Sequence, residues 1–374
     1  MSRDRWQRCR LGDVTLSFNS RRRPVKSVDR TAGPYPYYGA SGVIDYVDDF
    51  LFEGLHLLVA EDGENLRSRN TPVAFLADGR FWVSNHAHVL RGNDCADTRY
   101  LAYALEQLDL SGYLTGSTQP KLTKAALDAI QLDLPPQHEQ QAIAEVLGAL
   151  DDKIAANTAL ASRCDELVRA EYLSVVGERT PVGKVAESPR SGVDPSGVDP
   201  QTPYVGLEHL DRREMWLARN GTADEVSSAK SRFEPGDVLF GKLRPYFHKV
   251  ASAPGIGICS TDILVVRALD TRMATVLLAA LSSDAVIEAV VAASEGTRMP
   301  RTSWKDLARV EITWPVAADA GRLAQRLDAI RDAAIAHLAE NRTLAETRDA
   351  LLPHLMSGQL RVRDAEKIAA DAGA

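Results

Sequence analysis

The segment GSTQPKLTKAALDAIQLDLPP, Gly116 to Pro136, returns 180 residues later as GTRMPRTSWKDLARVEITWPV, Gly296 to Val316, and each copy runs into a long helical pattern. An internal repeat on this scale fixes the architecture into which every local motif must fit. Gly116, Pro120, Lys121, Leu127, Ile130, Leu132 and Pro135 correspond to Gly296, Pro300, Arg301, Leu307, Val310, Ile312 and Pro315. Weaker echoes lie upstream. Gly12-Asp13-Val14 resembles Gly183-Lys184-Val185, Pro36-Tyr37-Tyr38-Gly39 resembles Pro203-Tyr204-Val205-Gly206, and Val83 to Arg91 resembles Cys259 to Arg267 in pattern. The chain therefore reads as two similar globular modules, each followed by one helix, with a shared scaffold and diverged loops.

Residues 1–137 carry short apolar runs, Leu55 to Ala60, Val73 to Ala77 and Phe81 to Val83, bounded by Gly, Asp and Asn, which favours strands. A helix is predicted over Thr98 to Gln107 and a closing strand over Gln131 to Leu134, stopped by Pro135-Pro136. From about His138 to residue 177 the pattern is helical for some eleven turns, with Ile143, Leu147, Leu150, Ile154, Asn157, Ala161, Cys164, Val168 and Val175 on one seam, widened by Leu160 and Leu167. A second module covers 178–316 and opens with a Pro/Gly-rich loop, Pro189 to Pro203. A second long helix occupies 317–358, with Leu327, Ile330, Ala334, His337, Asn341, Leu344, Leu351 and Leu355 on its seam, before a frayed tail, 359–374.

Two apolar seams need partners, and each helix is the other's nearest candidate. Antiparallel pairing, from Ile143 against Leu355 to Val175 against Leu323, relates the modules by a pseudo-two-fold axis and sets Asn157 opposite Asn341. A paired asparagine in an apolar seam fixes register. A helix of roughly 35 residues spans about 50 Å, commensurate with DNA half-sites one turn apart, about 34 Å.

No apolar run reaches the length of a membrane span, and the start MSRDRWQRCR is too polar for a signal peptide, so a cytoplasmic protein without membrane contact is expected. Cys9, Cys95, Cys164 and Cys259 show no metal or disulfide spacing. The net charge of −7 argues against coating nucleic acid along the whole surface. Positive charge nevertheless gathers in predicted loops: Arg21-Arg22-Arg23 with Lys26 and Arg30, and Lys242, Arg244, His248 and Lys249.

Phosphate-binding loop, dinucleotide and zincin motifs are absent, as is the N/D-P-P-Y/F segment of adenine methyltransferases. Asn85-His86-Ala87-His88 offers two imidazoles but no third ligand nearby. Asp62 and Glu64 with Arg67 suggest a nuclease carboxylate pair, yet the second module has Gly241-Lys242-Leu243-Arg244-Pro245 there. No catalytic residue and no metal site is assigned. Three classes stand: a DNA-sequence reader without catalysis, which these absences favour, a self-contained nuclease or methyltransferase, and a coiled-coil adaptor with no DNA role.

Tyr37-Tyr38-Gly39-Ala40-Ser41-Gly42 with Ile44 and Tyr46-Val47-Asp48-Asp49, Leu57 to Leu66, Asn85 to Leu90, Gly116 to Leu122 leading to Pro135-Pro136 and Glu139-Gln140-Gln141, and the terminal Leu351 to Val362 together resemble the specificity subunit of type I restriction-modification systems. The second module lacks the Tyr-Tyr-Gly-Ala-Ser-Gly and His-Ala-His signatures. The resemblance implies an α/β (α+β) chain in which two target-recognition domains are separated by two long antiparallel helices forming a coiled coil, each domain reading half of a split double-stranded DNA sequence. It further implies two methyltransferase subunits docked on the helices and an optional pair of restriction subunits. S-adenosylmethionine, ATP and Mg²⁺ are then expected only in those partners. Base edges need donors and acceptors on a rigid support, and phosphates need Arg, Lys or amides. The candidate DNA contacts are Arg21, Arg22, Arg23, Lys26, Tyr38, Ser41, His86, Gln119 and Lys121 in the first module. In the second they are Lys242, Arg244, Tyr246, His248, Lys249, Arg298 and Arg301. Tyr37, Tyr38 and Tyr246 have core or turn positions as their alternative.

Overall fold

The computed structural model describes residues 6–116, 118–293 and 300–374. The chain forms two compact units, one of residues 1–154 with 343–374, the other of residues 155–342.

In the first unit the strands are β1 Gln7–Arg10, β2 Thr15–Ser17, β3 Ala32–Gly39, β4 Gly42–Val47, β5 Phe52–Glu53, β6 His56–Ala60, β7 Ala74–Ala77, β8 Arg80–Val83, β9 Ala87–Gly92 and β10 Gln131–Leu134. They make one sheet in the order β2-β9-β6-β7, a second in the order β4-β3-β8-β5, and the pair β1-β10. Within the second sheet β3 and β8 run parallel, with Tyr37 opposite Trp82 and Tyr38 opposite Val83. The helix Thr98–Gln107 begins where predicted, because Asp97 accepts hydrogen bonds from the Arg99 and Tyr100 amides.

The second unit repeats this plan. Its strands are β11 Gly177–Pro181, β12 Ala186–Glu187, β13 Gly192–Val193, β14 Pro203–Val205, β15 Gly221–Thr222, β16 Lys230–Phe233, β17 Val238–Gly241, β18 Val250–Ser252, β19 Gly257–Cys259, β20 Ile263–Ala268 and β21 Glu311–Pro315. The orders β12-β20-β17-β18 and β15-β14-β19-β16 match those of the first unit, and β14 and β19 form the parallel pair. The strand β13, inside the segment predicted to be all loop, is added at the edge beside β16. The repeat thus extends over the whole module, well beyond the segments legible in sequence.

Two long helices, Gln137–Leu173 and Ala317–Met356, each contribute to both units. In the first unit Ile143, Leu147 and Leu150 join Leu344, Leu351 and Leu355 in one core, and Arg348 pairs with Asp151 at 2.8 Å. In the second, Ala161, Val168 and Tyr172 share a core with Leu323, Leu327 and Ala334, and Arg326 pairs with Glu171 at 2.8 Å. These contacts run antiparallel and follow the predicted register. The expected asparagine layer takes a crossed form: Asn157 donates to Glu340 Oε2 at 2.7 Å and Asn341 to Thr158 Oγ1 at 3.0 Å, so each amide meets the neighbour of the other asparagine.

Three expectations are corrected. Leu160 and Leu167 do not widen the seam; they are 47% and 48% exposed. Each lies one residue before a buried seam position, which turns it about 100° away. The first helix ends at Leu173, short of residue 177, although Val175 beyond it still packs against the second unit's core, and Tyr172 donates to the Thr313 carbonyl at 2.8 Å. The tail is ordered: Val362–Asp371 is a helix whose Val362, Ala365 and Ala369 are buried in the first unit's core. Its spacing, i, i+3, i+7, is that of an amphipathic helix. Among the described residues no single helix is long and apolar enough to cross a membrane.

Candidate nucleic-acid interface

Three segments far apart in sequence meet in the first unit where β6 ends. The Glu61 amide donates to the His86 carbonyl at 2.9 Å, the Leu122 amide to the Glu61 carbonyl at 2.8 Å and the Gly63 amide to the Pro120 carbonyl at 3.1 Å, while Asp62 bridges to Lys121. Glycine is needed at two of these turns. Gly63 has φ 112, and Gly116 has φ 86 with a Cβ there falling 2.3 Å from the Gln119 carbonyl oxygen. The loop Asn19 to Lys26 and the hairpin β3–β4 border the same surface: the Arg23 carbonyl accepts from Trp82 Nε1 at 2.6 Å and the Tyr38 carbonyl from the Ser84 amide at 3.0 Å.

Glu61 is the hub. Its carboxylate takes Arg22 Nη1 at 2.7 Å and Lys121 Nζ at 3.3 Å. Burial pushes its pKa up, but the Arg22 hydrogen bond with the neighbouring positive groups outweighs burial and holds it below the usual range. His86 pairs Nδ1 with Asp62 at 2.9 Å and stays half exposed. His88 is different. It is buried, with Nε2 on the Leu122 carbonyl and Nδ1 on the Asn19 amide, both at 2.8 Å, and burial lowers its pKa. The two histidines thus never form a metal-binding face, and among the described residues no group of three His, Cys, Asp or Glu is placed to hold a metal ion.

The second unit rebuilds the same backbone frame with other side chains. The Lys242 amide donates to the Asp262 carbonyl at 2.8 Å, the Thr302 amide to the Lys242 carbonyl at 2.9 Å and the Arg244 amide to the Pro300 carbonyl at 2.9 Å, while Leu243 bridges to Arg301. Lys242 therefore stands where Glu61 stands, Leu243 where Asp62 stands, Arg244 where Gly63 stands, Asp262 where His86 stands and Arg301 where Lys121 stands. The charge balance shifts: two acids, a glycine, a histidine and one lysine become three cations, a leucine and one acid. Arg301 pairs with Asp262, and Lys242 Nζ donates to the Thr261 carbonyl at 2.6 Å.

Of the candidate contacts in the first unit, Arg21, Arg23, Lys26, Ser41, His86, Gln119 and Lys121 are exposed. Arg21 also lies over the Phe52 ring and donates to the Leu51 carbonyl. Arg22 is turned inward onto Glu61 and the Ala87 carbonyl, so it braces the frame. Tyr38 is packed edge-on against Phe81 and beside Phe75, and Tyr37 is buried with its hydroxyl accepting from the Val25 amide.

In the second unit Arg244, Tyr246 and Arg301 are exposed. Lys249 is half-buried with Nζ on the Leu207 carbonyl at 2.6 Å, and burial lowers the pKa of both Lys242 and Lys249. His248 leaves the contact set. It is buried with Nε2 on the Ser282 carbonyl at 2.8 Å, closing the helix Ala274–Leu281. Arg298 lies outside the described residues. The acids Glu61 and Asp262, which organise the two frames, were missed in sequence. An acid next to a turn has no local signature, although the offset alignment of Glu61 with Lys242 was available as a signal.

The family model for the type I restriction-modification DNA specificity domain matches residues 3–163. A type I restriction enzyme specificity subunit of Haemophilus influenzae is 39% identical over 140 residues, 37% of this chain and 36% of that protein, so the match spans little more than a third of that relative. The EcoDI type I restriction enzyme specificity subunit of Escherichia coli is 20% identical across 86% of this chain and 80% of its own length. The crystal structure of the type I restriction-modification system S subunit from M. genitalium superposes with a TM-score of 0.60 at 15% identity, covering 94% of this chain and 96% of that one, a likeness of fold.

Proposed function

We propose that this chain, whose residues 3–163 match the type I restriction-modification DNA specificity domain, is a type I specificity subunit, the sequence-reading, non-catalytic component of such a complex. Each unit reads one half of a bipartite double-stranded DNA target. Two methyltransferase subunits dock on the long helices and methylate adenine N6 with S-adenosylmethionine, and restriction subunits, where present, bring ATP and Mg²⁺. The observation that carries the reading is the duplicated frame: one backbone hydrogen-bond pattern, built twice, bearing different arrangements of charge. A scaffold that holds its geometry while exchanging donors for acceptors is what reading two different half-sites requires.

The test is reconstitution with a partner methyltransferase on genomic DNA. Methylation confined to one split sequence is expected, and none from the purified chain alone. Methyl transfer by the isolated chain would overturn the non-catalytic assignment. Lys121→Ala and Arg301→Ala serve as matched probes. Each should weaken binding roughly tenfold, one at each half-site, with a shallower salt dependence where a phosphate contact is lost. Footprints losing both half-sites equally in either variant would contradict one unit reading one half.

A further inference from the structure

Arg244 sits in a backbone conformation that its own chemistry opposes. Its φ is 51 and ψ 64, left-handed, where a Cβ crowds the backbone. It also precedes Pro245, whose ring drives the preceding residue toward extended backbone. The equivalent position in the first unit is Gly63, with φ 112 and the same amide bond to a proline carbonyl. The fold therefore asks for glycine here and receives it once. The neighbouring left-handed residues have structural reasons for their side chains: His248 (φ 54) holds the Ser282 carbonyl, and Arg69 (φ 50) in the first unit holds the carbonyls of Glu106 and Leu108. Arg244 has none of this kind. Its guanidinium is exposed, makes no ion pair among the described residues, and its nearest recorded partner is the Phe247 ring, 5.9 Å away and already covered by Arg212 at 4.1 Å.

Strain kept against an available alternative points to the side chain's use. We propose that Arg244 is a specificity residue of the second unit, held in a strained position so that its guanidinium reaches hydrogen-bond acceptors of one DNA half-site. This rests on the reading that each unit binds one half-site. Arginine is suited to it, since its fork pairs with a guanine edge or a phosphate while a lysine offers a single point charge.

The experiment uses the full chain with its methyltransferase partner, comparing wild type with Arg244→Gly, Arg244→Asn and Arg244→Lys. Glycine and asparagine both accept the left-handed conformation, so the unfolding midpoint should stay level or rise, while affinity at one half-site falls roughly ten- to a hundredfold. Relaxed preference at one base pair, retained in Arg244→Lys, identifies a base-edge contact. A uniform loss with a shallower salt dependence, restored by lysine, identifies a phosphate contact. Either supports the proposal. Arg244→Gly and Arg244→Asn binding the half-site as tightly and selectively as wild type overturns it. A wild-type complex without any bipartite preference would instead count against the function proposed above, and the affinity of Arg244→Gly for random DNA, unchanged or reduced, would still decide whether Arg244 touches DNA.

Discussion

Glu61→Ala should destabilise the first unit by about 2–4 kcal/mol, because it strips a mostly buried guanidinium and an ammonium of their shared carboxylate. Arg22 keeps the Ala87 carbonyl, which sets the loss below that of a wholly orphaned charge. Urea unfolding followed by Trp82 fluorescence, whose indole is tied to Arg23, reads this directly. The pH dependence follows from the depressed pKa of Glu61. Its contribution is present above the ordinary carboxylate range and is lost as pH falls through its lowered value. Wild type should therefore lose stability on acidification in a limb that the alanine variant lacks. A variant with the same midpoint and the same acid limb as wild type would remove Glu61 from the centre of the frame.

Arg169→Ala should cost the second unit about 3–5 kcal/mol at pH 8, the scale for leaving a buried carboxylate without its partner. Arg169 ties Asp165, the Ser282 carbonyl and the Arg213 carbonyl together, and Asp165, 5% exposed, also accepts from the Met215 amide at 3.0 Å. Burial, reinforced by Glu214, raises Asp165 to about 6 against the opposing pull of Arg169 and the Met215 amide. A raised carboxyl favours folding below the unfolded value and loses that contribution as pH rises through about 6. At pH 4.5 Asp165 is mostly protonated and has little need of the guanidinium, so the penalty of Arg169→Ala should shrink there. Equal penalties at pH 4.5 and pH 8 would show that the carbonyl contacts alone carry the effect.

What could be read in advance follows from how local each signal is. The helix Thr98–Gln107 is announced by an adjacent cap, and the long helices by seams repeated over many turns. The register between them was legible because seventeen seam positions, nine on the first helix and eight on the second, must agree at once with one offset. Leu160 and Leu167 misled because an apolar residue beside a seam looks the same whether or not a partner reaches it, and here the core takes Ala161 and Val168 instead. In the site, basic loops were visible as composition, but their use was not. Arg22 and Arg23 are adjacent in sequence and opposite in role, since one finds Glu61 39 residues away and the other faces outward. His86 and His88 divide in the same manner. Such assignments depend on long-range partners, which no window of sequence contains.

The helix Val362–Asp371 gives the chain an unusual order of completion. The second unit is a continuous stretch, residues 155–342, and has all its parts as soon as that stretch has emerged from the ribosome. The first unit has residues 1–154 on one side of that stretch and takes Leu351, Leu355, Val362, Ala365 and Ala369, from the other side, into its core. Residues 1–154 must therefore wait, with part of their apolar surface open, until the whole second unit has been synthesised and the segment beyond it arrives to close them.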